Sequence, residues 1–343
     1  MSELNRYSRQ ILFEPIGPEG QERLLHSRVV ILGLGALGTV SAELCARAGI
    51  GSLVLVDRDF VEESNLQRQI LFDEQDAAEH LPKAIAAARK LRGINSKIKI
   101  RGLVLDANAS NIEHLVRNSS LLIDGTDNFE SRFLINDACV KLKVPWIYGA
   151  AVASEGAAMV ILPGVTPCLR CLFEDLPPAG SAPTCETAGV IAPAVTMVAS
   201  FQVAEAMKIL VGELDRVCRA FRSFDVWRNT FQEVDLKGAR EGKGCVACGS
   251  GRFEFLEPQG VSRTHRLCGR NAIEVLPAQP LQLSLPDLEK KLSAAGAVQS
   301  NPYLVRCVLE EVTLNVFADG RAIVQGTQDP ALARSLYAKY VGN

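Results

Sequence analysis

The sequence of 343 residues has little net charge, few histidines and no long apolar run. Its 37 Lys and Arg residues nearly balance its 39 Asp and Glu residues, and no basic stripe stands out, which argues against nucleic acid as the main ligand. We see no signal peptide and no apolar stretch long enough to cross a bilayer, so we expect no membrane partner. Internal repeats and long charge blocks are also missing, so we expect no repeat architecture.

Cysteine, by contrast, is plentiful, with 10 residues. We expect these thiols in a reducing cytoplasm and not in a disulfide framework. Four of them form two C-x-x-C pairs in turn-rich settings, Cys168 with Cys171 and Cys245 with Cys248. Two such pairs predict a structural zinc site with four thiolate ligands that joins distant segments. The alternatives are accidental pairs or a redox dithiol. Cys45, Cys139, Cys218 and Cys307 lie in apolar patterns and are predicted to be core residues.

A nucleotide-binding turn is predicted near the N-terminus. The apolar run 29–32 leads into G-x-G-x-x-G, formed by Gly33, Gly35 and Gly38. These glycines allow a tight turn, a close approach of phosphate to the backbone and packing of the next helix. A second apolar run ends in Asp57, where a carboxylate can bind ribose hydroxyls. Taken alone, this pattern favours an NAD-dependent oxidoreductase, and a turn that binds nothing is the structural alternative.

A polar cluster after the second strand changes that interpretation. Asn65, Arg68 and Gln69 belong to a segment that begins at the carboxyl end of the second strand. Lys83 precedes an Ala-rich helical stretch. Two cations directed at one phosphate site suit a triphosphate better than the pyrophosphate of NAD. Arg68 and Lys83 could also be ordinary solvated surface charges.

A third strand, residues 121–124, is followed by a polar segment that includes Asp127 and Asn128. Its position at the carboxyl edge of a doubly wound sheet is where such folds bind ligands. One carboxylate of this segment is well placed for magnesium, which prefers oxygen ligands. The alternative is a polar turn in which Asp127 or Asn128 caps the next helix.

Together these motifs resemble the ThiF/MoeB/HesA family of adenylyltransferases, the prokaryotic relatives of ubiquitin-activating enzymes. The resemblance covers roughly residues 3–250, and several motifs in one order are more specific than any single motif. The chain departs from the family where His80 replaces a common Gly and where the stretch 73–79 is slightly long. The matching segments are 6–10, the glycine turn, Asp57 with Asp59, 64–69, Pro82-Lys83, 125–128, both cysteine pairs and 185–193.

The resemblance implies a Rossmann-like doubly wound α/β sheet of the ubiquitin-activating-enzyme type, with a small C-terminal α+β domain beyond it. It also implies ATP and magnesium as ligands and adenylation of the C-terminal glycine of a small carrier protein. The attacking carboxylate is ionised at pH 7 and needs no general base, which fits the absence of a His constellation. By resemblance, Arg68 and Lys83 bind phosphates, Asn65 and Gln69 orient them, Asp57 binds ribose, Asp127 holds magnesium beside Asn128, and Arg9 reaches the site of a neighbouring subunit, so that the enzyme is a homodimer.

Cys185 follows the Pro-rich stretch 176–183. In some family members the matching cysteine attacks the acyl-adenylate, and in others it is dispensable. A thiol before a helix N-terminus can have a lowered pKa and act as a nucleophile. The alternative for Cys185 is a small buried residue of a crossover loop.

The composition changes after Cys248, and we predict a division into domains 1–250 and 251–343. The second domain is predicted to have β-α-β-β-β-α order and to bind a partner. Cys268 is the one candidate there for a sulfur role. The predicted elements are strands at 272–276, 303–309, 312–317 and 322–325, with helices at 285–292 and 330–340.

The sequence therefore predicts an ATP-dependent adenylyltransferase that activates a ubiquitin-like or sulfur-carrier protein ending in Gly-Gly. The alternatives are an NAD-dependent oxidoreductase and a catalytically silent nucleotide-binding scaffold. The sequence does not identify the carrier or the pathway, which could supply sulfur for thiamine, molybdopterin or tRNA, or conjugate a protein.

Overall fold

The computed structural model describes residues 3–176, 187–240, 244–257, 264–267, 271–277 and 281–342. The chain forms two compact units, Met1–Pro258 and Gln259–Asn343. Sequence alone placed the division at residue 250. Cys185 and Cys268 lie outside the described residues.

The first unit is built on an eight-stranded sheet. Its strands are β1 (Arg28–Leu32), β2 (Ser52–Asp57), β3 (Lys99–Val104), β4 (Leu121–Asp124), β5 (Trp146–Val152), β6 (Glu155–Ile161), β7 (Ala220–Asp225) and β8 (Thr230–Asp235). Their order across the sheet is β3-β2-β1-β4-β5-β6-β7-β8. Pairing is parallel from β3 to β5 and antiparallel from β5 to β8.

Helices cover both faces of this sheet. They are α1 (Ser8–Ile11), α2 (Gly17–His26), α3 (Ala36–Ala48), α4 (Glu74–Ala78), α5 (Lys83–Ile94), α6 (Ile112–Val116), α7 (Phe129–Leu142), α8 (Leu169–Leu172) and α9 (Ala192–Val211). One apolar cluster joins the sheet to α2, α3, α5 and α9, and another joins the opposite face to α6, α7 and α8. The strands are apolar on both faces because both are covered. The predicted doubly wound α/β fold is confirmed.

The strand order reverses between β1 and β4. The chain adds β2 and β3 on one side of β1, and then adds β4 and β5 on the other side. Ligands bind outside the carboxyl ends of the strands at such a point. Gly33, Asp57 and Asp124 stand at the carboxyl ends of β1, β2 and β4. The sheet order thus brings the three predicted segments to one edge.

The long helix α9 corrects one expectation from the sequence. By length and composition it could cross a membrane, with a mean hydropathy of 1.5, and 50% of that stretch is buried within the protein. Val198, Val203 and Ala206 pack into the apolar clusters of the first unit. A core helix of a folded domain has the same composition when neighbours cover it.

The second unit has a six-stranded antiparallel sheet in the order β11-β12-β13-β14-β10-β9. The strands are β9 (Thr264–Leu267), β10 (Ala272–Val275), β11 (Ala297–Ser300), β12 (Leu304–Val308), β13 (Thr313–Phe317) and β14 (Ala322–Gln325). The helices α10 (Leu285–Leu292) and α11 (Pro330–Tyr340) pack on one face through Leu288, Leu292, Ala333 and Tyr337.

The predicted β-α-β-β-β-α order is therefore incomplete, because β9 and β11 were not predicted. Both are edge strands of four residues. The sequence of β9 is Thr-His-Arg-Leu and that of β11 is Ala-Val-Gln-Ser, so neither shows an apolar alternation. The other predicted elements of this unit occur within about one residue of their expected ends.

Candidate functional site

The glycine turn after β1 is closely packed on one side and open on the other. Gly33 has a φ of 85°, and a Cβ there would lie 2.6 Å from the Gly125 carbonyl oxygen. A Cβ on Gly38 would lie 1.8 Å from the Gly33 carbonyl oxygen. A Cβ on Gly35 would meet only the Gly125 oxygen, at 4.0 Å. Gly35 precedes α3, which has no side-chain cap, so the first N–H groups of this helix can bind an anion.

Asp57 connects this turn to the end of β2. Its Oδ2 accepts a hydrogen bond of 2.6 Å from the Leu34 N–H, and its Oδ1 accepts one of 2.7 Å from the Asp59 N–H. Burial raises the pKa of the Asp57 carboxyl, while the charge of Lys83 opposes that rise. A carboxylate has about four acceptor positions, so Asp57 can still accept hydrogen bonds from a ribose.

Lys83 begins α5 beside the same edge. Its backbone N–H donates to the Asp59 carbonyl at 2.8 Å, and the Val61 N–H donates to the Leu81 carbonyl at 2.8 Å. The segment after β2 and the segment before α5 therefore pair as a short ladder. The Lys83 ammonium lies 3.4 Å from Asp59 Oδ2, and 7% of its side chain is exposed. The Asp59 carboxylate offsets the unfavourable interaction of this cation with the helix dipole, and an ammonium has three donors, so Lys83 can also donate to an anionic ligand.

The loop before Lys83 contains His80, the residue at which the chain departs from the family. His80 has a φ of 46°, in the left-handed region that favours glycine. Its ring packs edge-on against Phe60, with ring centroids 5.8 Å apart. A common Gly in the family suits this backbone, and this chain places His there with an aromatic contact.

Asn65, Arg68 and Gln69 lie on the turn that follows β2. Asn65 Oδ1 accepts a hydrogen bond of 3.2 Å from the Glu62 N–H, so this side chain shapes the turn. The Arg68 guanidinium donates to the Ser64 carbonyl at 2.8 Å, and no carboxylate pairs with it in the described part of the chain. Gln69 is 3% exposed, and its Oε1 has no hydrogen-bond partner among the described residues.

Three polar residues at and after the end of β4 have different environments. Asp124 is fully buried and is ion-paired, so it is not available to a metal. Asn128 caps α7, because its Oδ1 accepts a hydrogen bond of 2.8 Å from the Ser131 N–H. Asp127 is exposed, and its Oδ1 accepts a hydrogen bond of 3.2 Å from the Asn128 amide. Asp127 is thus the carboxylate of this segment that can reach a ligand.

Arg132 was not among the residues singled out from the sequence. Its Nε donates to Asp124 Oδ2 at 3.1 Å, and its Nη2 donates to the Thr126 and Gly149 carbonyls at 2.9 and 3.0 Å. Asp124 Oδ1 accepts from the Thr126 N–H and hydroxyl at 2.9 and 2.7 Å. Burial raises the pKa of Asp124, and Arg132 opposes that rise. The pair fixes the start of the segment that presents Asp127.

Three of the five side chains of the N-terminal segment 6–10 bind it to the rest of the domain. The Tyr7 hydroxyl accepts a hydrogen bond of 2.9 Å from the Asn95 amide. Arg6 donates to the Ile94 carbonyl at 2.9 Å, and Gln10 donates to the Ala48 carbonyl at 3.0 Å. Ser8 and Arg9 are exposed, so the segment presents Arg9 outward.

The two cysteine pairs lie together although they are far apart in sequence. Sulfur–sulfur distances are 3.8 Å for Cys168–Cys171, 3.6 Å for Cys168–Cys245 and 3.4 Å for Cys171–Cys248. All four ligand atoms lie within 4.8 Å of one another. Four thiolates around zinc at about 2.3 Å would be about 3.8 Å apart. The donor set therefore fits a tetrahedral zinc ion.

Arg170 reinforces this junction from within the first pair. Its Nη2 lies 3.1 Å from Glu254 Oε2, and 4% of its side chain is exposed. Its guanidinium lies over the rings of Phe133 and Phe255, at 5.2 and 5.5 Å from their centroids. Arg170 thus joins the first cysteine pair to the segment that follows the second pair.

Four further cysteines were predicted to be core residues. Cys45, Cys139 and Cys307 are buried, whereas Cys218 is only partly buried.

Comparison with known proteins gives a consistent result. Residues 7–247 match the ThiF family. The chain is 47% identical over 339 residues to the sulfur carrier protein ThiS adenylyltransferase of Bacillus subtilis, which covers 98% of this chain and 99% of that protein. It is 38% identical over 256 residues to the SAMP-activating enzyme E1 of Haloferax volcanii, which covers 75% of this chain and 93% of that protein. The crystal structure of E. coli MccB with AMPCPP and MccA aligns with a TM-score of 0.62 at 25% identity, over 72% of this chain and 75% of that one.

Proposed function

The chain belongs to the ThiF family, and on that basis we propose that it is an adenylyltransferase that uses ATP to activate the C-terminal glycine of a small sulfur-carrier protein. The observation that carries this proposal is the similarity to the Bacillus ThiS adenylyltransferase, which covers 98% of this chain and so includes the second unit. The similarity to the SAMP-activating enzyme covers 75%. We therefore propose a carrier of the ThiS type, ending in Gly-Gly.

The reaction needs a site for polyphosphate and a path for a carboxylate. A carboxylate oxygen of the carrier attacks the α-phosphorus of ATP, the bond to pyrophosphate breaks, and an acyl-adenylate forms. Because the nucleophile is already ionised, no proton has to be removed. The protein contributes positioning and stabilises the charge that develops on pyrophosphate.

The described residues supply these functions at one edge of the sheet. The open side of the turn at Gly35 and the N-terminus of α3 receive phosphate, and Asp57 holds the ribose. Lys83 and Arg68 supply positive charge, and Gln69 contributes a buried amide with an unused acceptor. Asp127 is the residue that would hold magnesium, which neutralises phosphate charge when bound.

Two further parts of the proposal concern assembly and stability. We propose a homodimer in which Arg9, presented outward by the N-terminal segment, contacts phosphate in the neighbouring subunit. We also propose that the four cysteines hold zinc as a structural ion, in keeping with the reducing cytoplasm that free thiols require. The metal would fasten two distant segments and would not take part in the chemistry.

Carrier-dependent exchange of labelled pyrophosphate into ATP tests the adenylation step. We expect exchange with a ThiS-type carrier and none with the same carrier lacking its last glycine, because the truncated carboxylate no longer reaches the α-phosphorus. Exchange that is absent with a cognate carrier, although the protein binds ATP, would favour the nucleotide-binding scaffold and contradict the proposal.

Transfer of the activated carboxylate to Cys185 is a separate proposal. The thiolate would displace AMP and form a thioester with the carrier, so that a Cys185→Ala variant still forms carrier adenylate but no covalent complex. Electrophoresis without reductant, repeated after thiol treatment, detects this complex. A Cys218→Ala variant is the matched control. If the cognate carrier forms no complex with the unaltered enzyme, Cys185 does not accept the carboxylate.

A further inference from the structure

Arg58 follows Asp57 directly at the carboxyl end of β2. Its Nη1 lies 2.9 Å from Oδ1 of Asp106, which follows the end of β3. The two side chains are 28% and 15% exposed. The guanidinium is thus partly shielded and bridges the ends of two neighbouring strands, and Arg58 is next in sequence to the residue assigned to ribose.

Asp106 is itself held in place. Its carbonyl accepts hydrogen bonds from the Asn111 amide at 2.8 Å and the Asn108 amide at 3.2 Å. Leu105 donates its N–H to the Asp57 carbonyl at 3.3 Å. The turn after β3 is therefore tied both to itself and to the end of β2, and it fixes the carboxylate that orients the guanidinium.

The order of strands indicates which part of a nucleotide reaches Arg58. Phosphate belongs over the glycine turn at the end of β1, and ribose belongs at Asp57 on β2. The base is attached to the opposite side of the ribose from the phosphates. Neighbouring strands are about 4.8 Å apart, so continuing in the same direction by one strand brings the base to the end of β3, next to the paired side chains of Arg58 and Asp106.

We propose that Arg58 contacts the adenine base of ATP by stacking on its face and that Asp106 is the residue that positions it. A guanidinium is planar and weakly hydrated, so it stacks on aromatic rings more readily than an ammonium does. The partly buried apolar side chains of Leu105 and Ala107 on the same turn give the base an apolar neighbour. This inference rests on the proposed use of ATP and adds the residue that recognises its base.

Isothermal calorimetry on the full chain without carrier tests it with two probes, ATP and ribose 5-triphosphate, which has no base. Arg58→Ala should weaken ATP binding about tenfold and leave binding of the base-free probe unchanged. Asp106→Asn should give a smaller loss confined to ATP, because the guanidinium remains but is held less firmly. Arg101→Ala, an exposed arginine on β3, is the control and should bind both probes as the unaltered chain does.

An equal loss for both probes would place Arg58 on the ribose or phosphates and overturn the inference. Unchanged ATP binding in Arg58→Ala would overturn it as well. An Asp106→Asn variant that binds ATP like the unaltered chain would overturn the positioning role of Asp106. The adenylation proposal fails differently, since a chain that binds ATP in this base-dependent way but shows no pyrophosphate exchange would refute that proposal alone.

Discussion

The Lys83 ammonium lies 3.4 Å from Oδ2 of Asp59, with 7% of the Lys83 side chain exposed. Asp59 in turn donates its N–H to Asp57 Oδ1 at 2.7 Å, and Asp57 accepts from Leu34 in the glycine turn. One continuous chain of contacts thus connects the helix that carries Lys83 to the turn that would receive phosphate. We expect a substitution of one member to shift the positions of the others, because groups in one network of contacts are energetically coupled.

We expect Lys83→Met to reduce carrier-dependent pyrophosphate exchange by more than about 100-fold, which corresponds to roughly 3 kcal/mol or more in barrier. The physical reason is the loss of a shielded positive charge beside the phosphates. Lys97→Met, at an exposed site, should exchange normally. Normal exchange in Lys83→Met would refute the role assigned to this lysine.

We expect His80→Gly to be more stable than His80→Ala by about 1 kcal/mol, because both lose the ring contact with Phe60 but only glycine relieves the positive φ. Urea unfolding measures the difference. His114, in α6, is the control. There we expect His114→Ala to be more stable than His114→Gly by about 1 kcal/mol, since glycine is unfavourable inside a helix. If the alanine variant is the more stable at position 80 as well, the backbone at 80 is not strained.

We expect Arg132→Met to lower the free energy of unfolding by about 3–5 kcal/mol, because Asp124 is then buried without its counter-charge. Arg117→Met, which breaks an exposed pair with Glu113, should change stability by less than about 1 kcal/mol.

The loss in Arg132→Met should also depend on pH. Burial already raises the pKa of Asp124, and removing Arg132 raises it further. A raised pKa means that the folded state favours the protonated carboxyl, so the penalty is present at neutral pH and shrinks as the pH falls towards about 4. A penalty that is constant over this range would indicate lost packing and not an unpaired charge.

We expect Cys248→Ser to lose bound zinc and thermal stability together, because metal affinity at a structural site is folding free energy. Elemental analysis by mass spectrometry and a thermal unfolding curve measure the two quantities on the same sample. Cys218→Ser, outside the cluster, should retain both. One zinc per chain retained in Cys248→Ser would exclude a site with four thiolate ligands.

Local sequence was sufficient for the parts of the fold that depend on residues close together in the chain. The strand, glycine turn and helix at 29–48 follow from apolar runs and from the glycines of the turn, since a Cβ on Gly33 or Gly38 would collide with backbone. The pairing of Cys168 with Cys171, and of Cys245 with Cys248, is likewise local, since each pair shares one turn. In the second unit, α10 and α11 were predicted from their own residue patterns, and the structure adds that Ser284 and Asp329 cap them.

Only the tertiary structure decided which polar side chains remain available at the site. Asp124 and Asp127 are three residues apart and look equivalent in sequence, but Arg132 on α7 pairs with the first and leaves the second exposed. The link between Arg58 and Asp106 depends on β2 and β3 being neighbours, and the meeting of the two cysteine pairs depends on packing across the domain. Edge strands such as β11 take their conformation from pairing with a neighbour, because their own residues bury little. Sequence therefore determined the local turns and ligand types, whereas burial and long-range pairing determined which groups face a ligand.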